Sequence, residues 1–560
     1  MLIQFQHQLK ILIQKTLKER FFQESPMPEV ELEVPTAKEF GDYSINIAMQ
    51  AARILKRAPI QIANDFCPVI DEAIKGSEIS GLVESVSPAA PGFINFKLSQ
   101  AAVYQVLYDI FTRGNGYGSS IIGQGKKVLI EFVSSNPTGP LTIAHARQAA
   151  VGDVLANLLN FCGFDAKREY YVNDGGNQVV MLGLSIEYRI KEILGEKIDF
   201  PENCYQGAYI KGMAKIFMEN HKIRTADDLS NLPNKTLELQ NFGVTYLMDV
   251  IREELNDFGV LFDIWSYESR VSNHQAVEEA LKELDAKGFL FEKDGALWFR
   301  STNFGDDKDR VVRKSDGNYT YLAPDIAYHK NKYERGFDRV YNIWGPDHHG
   351  YIPRIKAAVQ ALGHNVDDLE VLIVQLATIY RNGQPVSMST RKGEFISLRE
   401  VLTEVGKDAS RFFFLMRCIS AHLDFDLDLA KKETPENPVY YIQYAHARIH
   451  SIIEKARESN FFAKTEDLHL LKESEEIDLI KKIGDFQEVV EQCAKEMEPF
   501  PLLIYLQETA TCFHRFYDRH RVVDLAEPAL SFERLGLING VMIVLANGLR
   551  LLGISTPERM

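Results

Sequence analysis

The sequence predicts an α/β multidomain protein, with a parallel sheet and crossover helices in the middle of the chain, a small α+β unit before it and an all-α unit after it. Three observations carry this. Lys127-Val128-Leu129-Ile130-Glu131-Phe132-Val133 has the make-up of a buried parallel strand, and an amphipathic helix and a second strand follow it. From Pro435 onward, strand patterns give way to long helical periods. The 560 residues also exceed what one core holds, since roughly 150 residues per domain suggests three or four units. A composition of 45% hydrophobic and 25% charged residues, with 36 Gly and 21 Pro, excludes collagenous, disulfide-scaffold and disordered classes.

The first unit, 1–115, opens with apolar residues and Lys10, Lys15, Lys18 and Arg20 at helical spacing, without the apolar block of a signal peptide. Glu39 to Tyr43 reads as a turn, Ile45 to Leu55 as a helix, and Gly92 to Leu98 alternates like a strand. Loop formers from Arg113 to Ser120 close the unit. The second unit, 116–430, places Ser134 to Pro140 as a polar loop after the first strand. The helix after the loop has Val151, Val154, Leu155, Leu158 and Leu159 on one face and stops at Gly163. Arg168 to Val172 is the second strand, so a right-handed crossover forms and ligands belong at the strands' carboxyl ends. Arg339 to Trp344 and Val371 to Leu376 extend the sheet around a helix from Tyr351 to Leu362, and a helical insertion covers about 200–263. The third unit, 431–560, contains helices at Tyr440–Ala456, Ile477–Glu498, Leu502–Arg521 and Leu535–Leu552. Its apolar run Leu535 to Leu549 holds Asn539 and Asn547 and is too short to span a membrane, so it reads as a buried helix.

Cys67, Cys162, Cys204, Cys418, Cys493 and Cys512 form no CxxC pair and no metal-ligand spacing, which predicts buried thiols in a reducing compartment, without disulfides or structural zinc. With 63 Lys plus Arg against 78 Asp plus Glu, the net charge of −15 argues against indiscriminate wrapping of nucleic acid while leaving room for a local basic groove.

Several segments carry chemistry. His145 stands where a loop meets a helix N-terminus, a place suited to phosphate. Val386 to Gly393 is a short polar, cationic, glycine-ended loop. Glu268 and Asp325 are carboxylates able to take a guanidinium in bidentate fashion, or to form surface ion pairs. The pair His348-His349 lacks a third ligand at metal spacing and reads as pocket wall. In the helical unit, Tyr441, Gln443, Tyr444, His446 and Arg448, and later Arg515 and Arg519, interleave aromatic, polar and cationic side chains. That pattern suits unpaired RNA bases and equally an amphipathic helix with its aromatics inward.

Asn136-Pro137-Thr138-Gly139-Pro140-Leu141 followed by Thr142-Ile143-Ala144-His145 resembles the first signature of class I aminoacyl-tRNA synthetases, and Glu131 to Asn136 before it is similar to the arginyl family in particular. Val386-Ser387-Met388-Ser389-Thr390-Arg391-Lys392-Gly393 resembles the second, ATP-closing signature, and Phe395 to Phe413 continues as that family does. The resemblance implies a Rossmann-type catalytic domain, a small N-terminal domain contacting the outer corner of tRNA and a helical anticodon-binding domain. Phe40-Gly41-Asp42-Tyr43 and Ala90 to Asn95 carry it in the first unit, and both RNA-like stretches and the chain end carry it in the third.

The same resemblance implies an arginine–tRNA ligase acting through arginyl-adenylate. Ser135 to His145, Asp347, His348, Met388, Ser389, Arg391 and Lys392 would sit around ATP, and Glu131, Ser135, Asn136, His145, Glu268, Tyr321 and Asp325 around arginine. It further implies ATP with Mg²⁺ as substrate, no tightly bound cofactor and no protein-held metal, and tRNA(Arg), L-arginine and ATP as partners. A cytoplasmic monomer, away from membranes, is expected, needing bound tRNA before it activates arginine.

This chain departs from the pattern at Thr142 and Ala144, and at Ser387 and Thr390, which replace both lysines of the second signature. No Lys or Arg stands between Glu131 and Arg147, so Arg391 and Lys392 are the nearest charges for the triphosphate. The rival readings are a class I synthetase for another amino acid and a non-catalytic tRNA-binding paralogue. Asp325 and Glu268 speak against the first, since a neutral side chain would leave both unpaired.

Overall fold

The computed structural model describes residues 2–35, 37–386 and 396–560. At its centre five parallel strands lie in the order Leu369–Ile373, Arg339–Trp344, Lys127–Glu131, Asp165–Val172, Ile264–Tyr267. The chain starts in the middle strand, builds outward to one side, and returns to build the other. The crevice between Lys127–Glu131 and Arg339–Trp344 is therefore the switch point where such sheets bind ligands. Val128, Leu129 and Ile130 are buried because helices cover both faces. The expected strand to Leu376 stops at Ile373, and Gln375 and Leu376 continue as loop along the strand ends.

The first crossover helix, Ile143–Phe161, has thirteen buried residues, far more than one amphipathic face, because it packs on the sheet and also against helices of the third unit. Gly152 makes this possible: a Cβ there would stand 2.3 Å from the Phe132 ring. The insertion helices Ala208–Asn220 and Lys235–Asp257 do not pack alone. They share a core with Gly176–Ile193, in which Leu182, Ile186, Met213, Phe217 and Leu247 meet. The antiparallel meander Leu290–Lys293, Ala296–Phe299 and Arg310–Arg313 was not foreseen in the sequence.

In the N-terminal unit, strands Tyr43–Ile45, Phe93–Leu98 and Val83–Ala89 form an antiparallel sheet with helices Leu2–Phe21, Ile47–Leu55 and Pro59–Lys75. Gly41 has φ 93°, and a Cβ there would lie 2.6 Å from the Phe96 carbonyl oxygen, so only glycine fits the turn. Asp42 then accepts from the Leu98 amide at 2.7 Å and pairs with Lys481 of the third unit, while Tyr43 is buried. The Phe40–Tyr43 segment thus folds this unit and docks it.

The third unit consists of helices Pro438–Glu458, Ser474–Gly484, Phe486–Glu496, Phe500–Arg519 and Pro528–Leu551. The expected helix 477–498 is two, meeting at Asp485 just after Gly484, a residue that weakens helix continuity. Pro528–Leu551 is long and apolar enough to cross a membrane, yet 56% of its most apolar window is buried in this protein. Gly540 and Gly548 let it approach Leu107 and Leu506, whose side chains would stand 2.9 and 2.5 Å from added Cβ atoms. Asn547 donates to the carbonyls of Gly114 and Tyr117 at 3.0 and 3.1 Å, tying the helix to the linker after the first unit.

Candidate active site

At the switch point lies a cavity of about 910 Å³, walled by the ends of the two central strands, the loop after the first of them and the helix Leu322–Glu334. The loop's entry is bent sharply, with Val133 at φ 67° and Ser134 at φ 41°, a conformation that β-branched valine adopts only under constraint. The constraint is visible. Ser134 donates its hydroxyl to Glu131 Oε1 at 3.0 Å and accepts from the Tyr171 amide at 3.1 Å. Further along, Tyr170 donates to the Ser135 carbonyl at 2.8 Å and Tyr209 to the Thr138 carbonyl at 2.6 Å.

At its far end the Leu141 amide donates to Glu254 of the insertion at 3.3 Å. The Leu141 carbonyl accepts from the Leu398 amide at 2.8 Å, and Thr142 bridges Ser397. The first-signature loop is therefore tethered to the segment that follows the second signature. Arg147, wholly buried one turn into the helix, donates to the carbonyls of Gln375, Cys418 and Ala421 at 2.7, 3.0 and 2.9 Å and so shapes the opposite wall.

His145 caps its own helix, with Nδ1 accepting from the Thr142 amide at 3.1 Å. That bond leaves the ring proton on Nε2. Burial pushes the imidazole down to about 4, so the group reaching the cavity is a neutral N–H donor.

The acids form the other end. Asp325 accepts from the Tyr351 hydroxyl at 2.6 Å. Burial lifts its carboxyl to about 7 despite that bond, with Glu131 and Glu268 adding to the rise and Lys332 opposing it. Burial also raises Glu268; the Tyr171 hydroxyl works against this and Asp174 adds to it. Glu131 pairs with Lys332 at 2.5 Å. The rings of Tyr171 and Tyr328 lie 4.5 Å apart, and Trp344 faces His348 and Tyr351 at 5.9 and 6.1 Å. Among the described residues lining the cavity there is no Lys or Arg. A recess with a raised acid that forms no ion pair among the described residues at one end and aromatic walls suits a cation, and the neutral N–H donor of His145 at the other end suits an anion.

Of the residues singled out in the sequence, Glu131, Ser135, Asn136, Thr138, Ala144, His145, Asp325, Asp347 and His348 line the cavity. Pro137, Gly139, Pro140, Thr142, Leu141 and Ile143 do not line it. The last two are buried anchors, and Gly139 sits where a Cβ would be 3.3 Å from the Tyr209 hydroxyl. Glu268 stands behind Tyr171 rather than on the wall, and His349 is exposed outside it. Tyr321 does not meet the expectation: it precedes the helix Leu322–Glu334 with its side chain 89% exposed, and its part in the site is its carbonyl, which accepts from the Asp325 amide at 3.4 Å. Met388, Ser389, Arg391 and Lys392 lie outside the described residues.

The reading from sequence missed Tyr171, Tyr328, His329, Lys332, Trp344 and Tyr351. A signal was present for three of them, because Tyr328, His329 and Lys332 follow Asp325 at helical spacing on one face.

In the third unit the RNA candidates divide. Arg448 lies 4.3 Å from the Tyr517 ring and donates to the Tyr444 hydroxyl at 3.4 Å, while Tyr441 packs on His514 at 4.8 Å. Arg515 and Arg519 are exposed, the latter paired with Glu475. Gln443 and His446 do not face outward. Gln443 donates to Asp408 at 2.9 Å and to the Ser555 carbonyl at 3.0 Å, and His446 Nδ1 meets the Pro557 carbonyl at 3.0 Å. Helical period carries these two inward, where they hold the chain's last residues against the helix Leu398–Phe414.

Three family models match successive parts of the chain. Residues 7–98 match the arginyl tRNA synthetase N terminal domain, 107–414 the catalytic domain of class I (R) tRNA synthetases, and 442–560 the DALR anticodon binding domain. The arginine–tRNA ligase of Citrifermentans bemidjiense is 47% identical over 541 residues, 95% of each chain, and that of Bacillus pumilus 45% over 551 residues, 98% of each. The fold is also that of Thermus thermophilus arginyl-tRNA synthetase, with a TM-score of 0.75 at 20% identity over 99% of this chain and 100% of that one.

Proposed function

The chain belongs to the arginyl-tRNA synthetases and joins arginine to tRNA at the expense of ATP; from that premise we propose how its residues divide the work. Asp325 receives the guanidinium, with Glu131 beside it and Glu268 contributing charge from behind Tyr171. Asn136, Ser135 and His145 hold the amino acid's α-amino and carboxylate ends. Arginine's carboxylate then attacks the α-phosphate of ATP, pyrophosphate leaves, and the terminal ribose hydroxyl of tRNA takes the arginyl group from the adenylate. Positioning and charge stabilisation carry both steps.

ATP lies over the strand ends near His145, Asp347 and His348. The triphosphate's charge is met by Arg391 and Lys392 and by Mg²⁺ brought with ATP and held by phosphates and water. The absence of Lys and Arg among the described lining residues supports that assignment, since the charge has to come from elsewhere. Arg448, Tyr441, Tyr444, Arg515 and Arg519 face tRNA. We infer a monomer working in the cytoplasm away from membranes, silent in arginine activation until tRNA is bound.

The observation that carries the substrate assignment is Asp325, a carboxyl lifted to about 7 that forms no ion pair among the described residues, in a recess of aromatic rings. Arginine-dependent ATP–pyrophosphate exchange with tRNA present tests it against citrulline, which has arginine's shape without its charge. Arginine should drive exchange and citrulline should not; comparable exchange with both would overturn the assignment. In the same assay, replacing Arg391 and Lys392 together by alanine should lower kcat by about a hundredfold or more, and a near-normal kcat would remove them from the triphosphate.

A further inference from the structure

Resting on the reading of this recess as the arginine site, we propose that Lys332 is a positioning residue of that site, which fixes the Glu131 carboxylate as one wall for the guanidinium and balances the charge of the recess against that of arginine. Lys332 is wholly buried. A lysine is almost never so unless paired. Its ammonium lies 2.5 Å from Glu131 Oε2, 2.8 Å from Asn342 Oδ1 and 4.4 Å from the centre of the Tyr328 ring. The other oxygen of Glu131 accepts from Ser134 at 3.0 Å. Both oxygens are thus anchored, one by the helix Leu322–Glu334 and one by the bent loop, so the carboxylate cannot turn without losing a partner.

The same lysine reaches Asp325 through a second route. Asn342 donates its amide to His329 Nε2 at 2.9 Å, and His329 Nδ1 donates to the Asp325 carbonyl at 2.9 Å. Burial and the neighbouring Lys332 charge keep His329 uncharged, which this tautomer requires. Lys332 and Asn342 are wholly buried and sit behind the recess, and His329, 3% exposed, carries the network to its wall.

At the acid end of the recess three carboxylates act on one another, those of Glu131 and Asp325 on its wall and that of Glu268 behind Tyr171. Among the described residues Lys332 is the cation that acts on Asp325 and pairs with Glu131, and these four groups leave two negative charges when all are ionised. Arginine brings two positive groups, its guanidinium and its α-ammonium, and its carboxylate is committed to ATP. Removing the lysine leaves Glu131 with an uncompensated buried charge, which it relieves by turning away or taking a proton, and either loses the wall.

The experiment is a double-mutant cycle on arginine-dependent exchange with tRNA present, using Lys332→Met, Glu131→Gln, both together, and Lys332→Arg. Lys332→Met should raise KM for arginine about tenfold or more while leaving KM for ATP nearly unchanged, and Lys332→Arg should restore most of the loss. In the Glu131→Gln background, Lys332→Met should add little, because the carboxylate through which it acts is gone. An unchanged arginine KM in Lys332→Met, an equal rise in both KM values, or additive losses in the double variant would overturn the proposal. Should Lys332→Met fail to fold, the double variant, which buries no unpaired charge, still decides by matching Glu131→Gln or falling well below it. Failure of the wild-type protein to use arginine at all would instead sink the assignment of the recess.

Discussion

A carboxyl lifted to about 7, as that of Asp325 is, sits above its value in the unfolded chain. The folded, ligand-free protein therefore holds that proton more tightly. Stability contributed on this account is present below the unfolded carboxylate range and is lost as pH rises toward 7. Asp325→Asn should accordingly raise the thermal midpoint of the free protein at neutral pH, by the equivalent of about 1–2 kcal/mol after allowing for water in the cavity. The same change should abolish arginine-dependent exchange. A variant that is less stable and still active would contradict both statements. Arginine selects the ionised form, so KM for arginine should rise as pH falls below 7, approaching tenfold per unit, and should be flat above about pH 8. A flat profile from pH 6 to 8 would show that Asp325 is already ionised without substrate.

At the level of elements, the site depends on helices that hold distant segments together. Asp153, in the helix Ile143–Phe161, accepts from Arg168 at 2.8 Å and from Arg411 at 2.5 Å. Arg411 also donates to the carbonyls of Leu552 at 2.8 Å and Phe258 at 3.2 Å, so one guanidinium joins the crossover helix, the insertion and the chain's final helix. Asp153→Ala should cost about 3–5 kcal/mol by stranding buried arginine charge, read as a large fall in thermal midpoint, whereas a loss below about 1 kcal/mol would mean the pair is screened.

These long-range ties explain what was legible and what was not. The first strand and the crossover helix were readable because apolar period is a property of adjacent residues, whereas Glu131 was singled out by the family resemblance and Asp325 by its carboxylate chemistry together with that resemblance. The inward turn of Gln443 and His446 depends on Asp408, Ser555 and Pro557, far along the chain, and Tyr321, named for arginine by the family resemblance, is 89% exposed. Lys332 was missed although it stands seven residues after Asp325, because a buried lysine is improbable until its partner Glu131, on a strand far back in the chain, is seen.

Over the whole molecule the net charge of −15 and an RNA substrate are reconciled by placement. Acids dominate globally, while Arg448, stacked on Tyr517, and the exposed Arg515 offer cations on one helical unit. An acidic surface repels polyanions that cannot reach that face, so binding to tRNA should weaken steeply with salt and duplex DNA should bind poorly even at low ionic strength. Comparable affinity for both nucleic acids would show that the charge pattern does not select. Arg448→Ala should weaken tRNA binding by about tenfold without altering KM for arginine, which lies in another unit.

The central claim is that an acid recess at the sheet's switch point reads the guanidinium for transfer to tRNA. Charging of total tRNA with radiolabelled arginine by the wild-type protein and by Asp325→Asn tests it most directly. The account predicts stable arginyl-tRNA from the first and none from the second, with tRNA bound equally well by both. Normal charging by Asp325→Asn, or tRNA binding without charging by the wild-type protein, would contradict it.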